Sequence, residues 1–220
     1  MSKKMIERDK HVSVGTRPER MDAKDKVTGH ALYGTDISLP GLLHGRVLRS
    51  PHAHARIVSI DTSKAEALPG VKAVVTSADL SRQDKDAIVD LGLGPLSVRD
   101  MQDNVLAFDK VLYQGHAVAG IAATSADIAE QALELIEVTY ETLPSVLTAP
   151  EAMETDAPIL IEDLHTIGFS DNERQPTNIA SKMCHRLGDT NEAFASADII
   201  IEREFNTATV HQGYIEPHPE

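Results

Sequence analysis

The stretch HAVAGIAATSADIAEQALELIEVTYE, residues 116–141, decides the fold class. Residues 116–124 are nearly continuous in apolar side chains, the pattern of a strand buried on both faces and therefore central in its sheet. Ser125 then offers a hydroxyl to cap a helix over 127–136, where Ile128, Ala129, Ala132, Leu133 and Ile136 fall on one face. Residues 137–141 return to extended character and stop at Leu143-Pro144, so the order is strand, helix, strand.

The same grammar runs upstream. Residues 42–50 (LLHGRVLRS) and 55–61 (ARIVSID) read as strands joined by SPHAH. Residues 61–68 open on a capping Asp61 and stop at Pro69-Gly70, a short helix, and 71–76 (VKAVVT) is β-branched and strand-like. A helical turn is expected at 77–80. Residues 81–104 are polar and acidic, broken by Gly92, Gly94 and Pro95, and are expected to be a connection with little regular structure. A short strand is expected at 105–108. Gly115 precedes the central strand where only glycine is expected to fit tightly or to take a positive φ.

Downstream, 148–190 is rich in Pro, Gly and acidic residues and reads as a long surface connection. A short helix is expected at 191–197 and a strong strand at 199–205 (IIIEREF). Residues 1–19 alternate charge without apolar periodicity and read as an arm. A chain that stops soon after a strong strand, on Pro-His-Pro-Glu, is expected to be a fragment or a split subunit.

At 220 residues the chain can bury a core without disulfides or metal. Its 21 Lys and Arg against 34 Asp and Glu give a net charge of −13, a surface that repels nucleic acid and anionic lipid. No run approaches the ~20 apolar residues of a membrane span, and no signal peptide is visible, so a cytoplasmic location is expected. The single Cys184 cannot make an internal disulfide, nor supply the roughly four thiolates of an iron–sulfur cluster, which would have to sit on another chain.

Motifs for chemistry are sparse. Gly92-Leu-Gly94-Pro-Leu-Ser97 imitates a dinucleotide loop, but Ser97 replaces the third glycine and Pro95 removes an amide, and the VRDMQDN that follows is a poor helix start. His52 and His54, with His44 nearby, make half of a metal site without a recognisable remaining ligand, so no metal ligands are assigned. Cys184-His185 would need its members to converge, which chain neighbours seldom do; an inert loop cysteine is expected. Nucleophile elbow, P-loop and HExxH are all absent from the sequence, and no catalytic residue is assigned. His211, Gln212 and Glu216 cluster after the last expected strand and are the candidate cofactor-binding residues; the alternative is a carboxylate holding backbone amides at a domain junction.

A long, ordered set of residues carries a resemblance. It runs through Val14-Gly15, Lys26-Val-Thr-Gly29, Ala31-Leu-Tyr33, Ser50-Pro51, Ala53-His-Ala-Arg-Ile57, Leu68-Pro-Gly-Val71 and Val74-Val-Thr76. It continues in Val111-Leu-Tyr-Gln-Gly115, Val138-Thr-Tyr-Glu141, Asn178-Ile179, Gly188-Asp189 and Ala197-Asp198. This pattern resembles the xanthine dehydrogenase/aldehyde oxidase family. The resemblance implies an α+β chain: an α/β hammerhead domain at 20–147, an extended linker at 148–190, and the first strand or strands of an incomplete molybdopterin-binding domain at 191–220. It further implies the large subunit of a molybdenum hydroxylase, with molybdenum-molybdopterin in the complete subunit and 2Fe-2S clusters and FAD on partner subunits.

The family's pterin loops and catalytic glutamate lie beyond residue 220, so these residues alone are expected to be inactive. Glu216 matches a Glu-Pro motif at the domain junction rather than the catalytic base. Val210 stands where some relatives place a glutamine that reaches the metal's oxo ligand; Gln212 is the nearest amide. Two other readings remain: a stand-alone docking subunit of a split hydroxylase, and an unrelated α/β protein for a small anion. A self-contained module is expected to bury 199–205 by its own contacts, whereas a truncated one leaves it exposed.

Overall fold

The computed structural model describes residues 17–84, 87–90, 92, 95–164, 168 and 176–213. Most of the expected arm, together with Gly94 and Glu216, lies outside the described residues. The elements are α1 (Ala23–Thr28), β1 (His44–Arg49), β2 (Ala55–Asp61), α2 (Ser63–Glu66), β3 (Val71–Thr76), β4 (Ile88–Asp90), β5 (Pro95–Ser97) and α3 (Val98–Val105). They continue as β6 (Lys110–Val111), β7 (Ala117–Ala123), α4 (Ala126–Glu134), β8 (Glu137–Thr142), α5 (Ala149–Ala152) and α6 (Thr190–Ser196). A mixed α and β composition with small sheets is what the sequence leads one to expect.

The described chain divides into two units. The smaller holds residues 17–40 and 211–213. In it α1 follows Asp22, whose carboxylate lies between Arg20 at 2.5 Å and Lys26 at 2.9 Å. Hydrogen bonds from these two cations bring the Asp22 carboxyl down to about 2.

The larger unit, residues 41–210, holds the sheets. Sheet one has the order β1-β7-β3, sheet two β6-β2-β8, and β4 pairs with β5 as a hairpin, all antiparallel. As its apolar run demands, β7 is central and nearly buried. The helix α4 starts where Ser125 Oγ accepts the Ile128 N–H at 3.3 Å. It carries the chain from β7 in sheet one to β8 in sheet two, so the strand–helix–strand unit is a switch between sheets.

One face of sheet one packs on helices: Ala119, Ile121 and Ala123 meet Ala65, Ala129, Ala132 and Ile136. Small residues at these contacts let helix and sheet approach closely. A second cluster joins Ala55, Ala107, Val111 and Val118. Ile60 and Val138 pack against both clusters and make them continuous.

Three expectations need correction. Residues 81–104 hold structure: β4 and β5 pair, and α3 is capped by Ser97 Oγ, which accepts the Asp100 N–H at 3.2 Å. The poor helix start after Ser97 is therefore a capped helix. Residues 105–108 are not a strand, because Val105 ends α3. Buried Ala107 instead donates its N–H to Ala117 O at 2.8 Å. Residues 199–205 form no element and are exposed. Strand propensity is realised only against a partner strand, and the described residues offer these none. Gly115 has a positive φ of +90°, one of the two expected grounds for glycine there; the other is absent, since a Cβ would meet nothing within 4 Å.

The connection after β8 has its own anchor. Asn178 Nδ2 donates to Ala152 O and Pro158 O, each at 3.0 Å, and its Oδ1 accepts the Leu160 N–H at 2.9 Å. One side chain thus satisfies three backbone groups of a segment without a sheet to do so.

Candidate functional site

A cleft of about 670 Å³ in the larger unit is bordered by β2, α3, β6 and residues 161–163. Charged side chains from distant parts of the chain line it. Arg82 reaches Asp103 at 2.7 Å and Asp109 at 2.5 Å, with its guanidinium 4.9 Å from the centre of the Phe108 ring. Arg99 meets Asp163 at 3.1 Å, Lys110 meets Glu162 at 2.7 Å, and Arg56 meets Glu141 at 3.1 Å.

Burial works against the charge on Arg82, but the hydrogen-bonded Asp103 and Asp109 carboxylates outweigh it and raise its pKa. The Lys110 hydrogen bond holds the Glu162 carboxyl below its usual range. Each of these four cations already faces a carboxylate, so the cleft presents none of them to an anionic substrate. Its ion pairs instead fasten residues 162–163 to α3 and β6. Half-exposed pairs of this kind contribute ~0–1 kcal/mol each, so the network sets position more than stability.

The residues singled out from sequence stand in different local settings. His211 and Gln212 are exposed coil in the smaller unit, and His211 Nδ1 accepts the Gly213 N–H at 3.0 Å. Glu216 lies outside the described residues. His54 is buried and donates from Nδ1 to Pro144 O at 2.6 Å, since a carbonyl can only accept. His52 packs edge-on to the Tyr140 ring at 4.9 Å, and His44 sits on β1 opposite Ala123. Among the described residues there is no group of three or more His, Cys, Asp or Glu that could hold a metal ion. Cys184 is exposed, and His185 Nε2 lies 3.0 Å from Met183 Sδ. Gly92 spends its amide on Asp90 Oδ1 at 2.7 Å, a local turn rather than an anion cradle.

Sequence reasoning missed the part played by His116. Its ring is buried; Nδ1 accepts the Leu112 N–H at 3.2 Å and Nε2 donates to Asp103 O at 2.7 Å. This places the proton on Nε2, and the Tyr113 ring stacks on it at 4.5 Å. His116 therefore ties the end of α3, the turn before β7 and β7 itself into one body. The Tyr113-Gln-Gly-His turn was a weak signal for it, since its Asp103 partner is thirteen residues away.

Among the described residues, no helix is long and apolar enough to cross a membrane. The sequence profile described as "Aldehyde oxidase and xanthine dehydrogenase, a/b hammerhead domain" matches residues 28–144. The carbon monoxide dehydrogenase large chain of Afipia carboxidovorans is 39% identical over 212 residues, covering 94% of this chain and 25% of its own. A probable xanthine dehydrogenase subunit of Bacillus subtilis is 38% identical over 201 residues, covering 90% of this chain and 23% of its own. The crystal structure of the Cu,Mo-CO dehydrogenase in its carbon monoxide reduced state superimposes with a TM-score of 0.64 at 36% identity, covering 84% of this chain and 23% of that one. The chain thus spans about a quarter of the length of these relatives.

Proposed function

The chain belongs to the aldehyde oxidase and xanthine dehydrogenase family through its a/b hammerhead domain, and on that premise we propose that it supplies the hammerhead portion of the large subunit of a molybdenum hydroxylase. Such an enzyme hydroxylates an electron-poor carbon of a small molecule with water as the oxygen source. In this reading residues 20–147 are the hammerhead domain, 148–190 the linker, and 191–220 the opening of the molybdopterin-binding domain. The complete subunit carries molybdenum-molybdopterin and works in the cytoplasm with an iron–sulfur subunit bearing 2Fe-2S clusters and an FAD subunit.

The described residues do not fit the cofactor themselves. His211 and Gln212 are exposed, the His211 ring is engaged by the Gly213 amide, and the lone thiol at Cys184 is exposed. No catalytic step is assigned to this chain, and it is inactive by itself. His211, Gln212 and Glu216 stand in this reading at the start of the molybdopterin-binding domain and meet the cofactor only through the rest of the subunit.

The observation that carries the proposal is the state of 199–205. Ile199, Ile200, Ile201 and Phe205 are 79%, 58%, 74% and 87% exposed. Four large apolar side chains within seven residues, left without a sheet, make a surface that another polypeptide covers. This exposure supports a portion of a larger subunit over a self-contained docking module, which would bury the segment itself.

Hydrogen exchange tests the proposal. In the chain produced alone, the amides of 199–205 should exchange without protection; in the assembly purified from the source cells they should exchange at least about a hundredfold more slowly. Equally fast exchange in the assembly would remove the ground for this reading.

A further inference from the structure

Sheet one has a second face, turned away from α2 and α4, of which the second core cluster covers only the end at Val118. Its register sets Val47 opposite Gly120 and Gly120 opposite Val75, and in the next row Gly45 opposite Ala122 and Ala122 opposite Ala73. None of these six residues belongs to a core cluster. Ala73 is exposed and Val75 is 38% exposed. Two residues back along β7, Val118 is fully buried by Ala55, Ala107 and Val111, so the protein's own cover stops just before Gly120.

Gly120 marks the middle of the uncovered part. Glycine in a strand interior weakens the strand, and its backbone angles here are not of the kind that call for glycine. A Cβ built on Gly120 would meet nothing within 4 Å, so nothing within the described residues explains the missing side chain either. What remains is close approach from outside. The row Val47–Gly120–Val75 is a notch with two branched walls and an empty floor, the shape that takes one bulky apolar side chain.

We propose that this face of sheet one is a docking surface for the remaining polypeptide of the large subunit, which seats a bulky apolar side chain in the notch at Gly120. The proposal rests on reading the chain as a portion of a larger subunit. About three quarters of each relative's length lies outside the part matched here, and that length must pack against this domain. The six residues carry no charge and no side-chain hydrogen-bonding group, so the occupant is apolar. A second copy is disfavoured, because each chain brings a net charge of −13.

Thiol footprinting tests it. Gly120→Cys is introduced with Cys184→Ser, and reaction with a small maleimide is timed for the chain alone and for the assembly purified from source cells carrying both substitutions. Ala122→Cys is run in parallel, and circular dichroism checks that each variant chain folds. The expected result is ready reaction in the chain alone and about tenfold or greater slowing in the assembly. Variants that fold as chains yet fail to assemble would also support the proposal, since the added side chain then blocks docking. Equal reaction in an assembly that contains molybdenum and the rest of the subunit would overturn this inference and leave the functional reading intact. Slow reaction already in the chain alone would assign the face to a second copy or to the chain itself, and would overturn it. A chain recovered from cells alone and free of molybdenum would overturn the functional reading and this inference with it.

Discussion

Replacing His116 by phenylalanine should lower the stability of this chain by about 2–4 kcal/mol at neutral pH, although the ring shape is nearly kept. The imidazole is fully enclosed and joins two backbone groups, the Leu112 N–H and the Asp103 C=O. Phenylalanine fills the space and keeps the stack on Tyr113, but leaves both groups dry and unpaired. Each such loss costs ~1–3 kcal/mol, more than the added apolar contact returns.

The same geometry fixes a pH dependence. Burial pushes the His116 pKa below its ordinary 6.5, and the bond to Asp103 O with the nearby Asp103 charge offsets this only in part. Protonation would also turn Nδ1 into a donor facing the Leu112 N–H. Below about pH 6.5 the unfolded chain takes up the proton while the folded chain resists it. The contribution of His116 is therefore fully present above that pH and is lost as pH falls through the folded value. Denaturation followed by circular dichroism should show the gap between the parent and His116→Phe narrowing from about pH 7.5 to about pH 5.5. A variant as stable as the parent at neutral pH, or a gap that widens on acidification, would contradict this account of the ring.

Gly70→Val should be as damaging, at about 2–4 kcal/mol. Gly70 closes the turn from α2 into β3 with φ +101°, where a side chain is strained whatever the space. Space is also lacking: a Cβ would lie 2.7 Å from Ile128 Cδ1 and 2.9 Å from Thr124 Oγ1. Ile128 packs on the first core cluster, so turning its terminal methyl aside disturbs the contact of α4 with that cluster, and the Thr124 hydroxyl must rotate away as well. Gly41→Val is the control, having φ +79° but open surroundings, and should cost only the backbone strain of about 1 kcal/mol. Thermal midpoints that fall equally for both variants would show that crowding at Ile128 plays no part.

What was legible in the sequence is local chemistry with a strong period. The buried run of β7, the capped face of α4 and the β-branched β3 each depend on neighbours a few residues away, and the structure has them within a residue or two of where the pattern put them. The helix α3 was passed over because its cap Ser97 follows Pro95 and its mostly polar sequence VRDMQDNV drew the eye from the helical spacing of Val98, Met101 and Val105. The strand expected at 199–205 failed for the opposite reason: its propensity is plain, but a strand exists only against a partner. The charged cleft was not legible at all, since its pairs join residues as far apart as Arg99 and Asp163, or Arg56 and Glu141. The candidates His211, Gln212 and Glu216 were chosen by chemical type; His211 and Gln212 are exposed coil, and Glu216 lies outside the described residues.

Mild native purification from the source cells decides whether this chain is the hammerhead portion of a molybdenum hydroxylase large subunit. Molybdenum should be recovered in proportion to the chain, together with the remaining large-subunit polypeptide and flavin and iron–sulfur chains. A metal-free protein that purifies without any of them would contradict the claim.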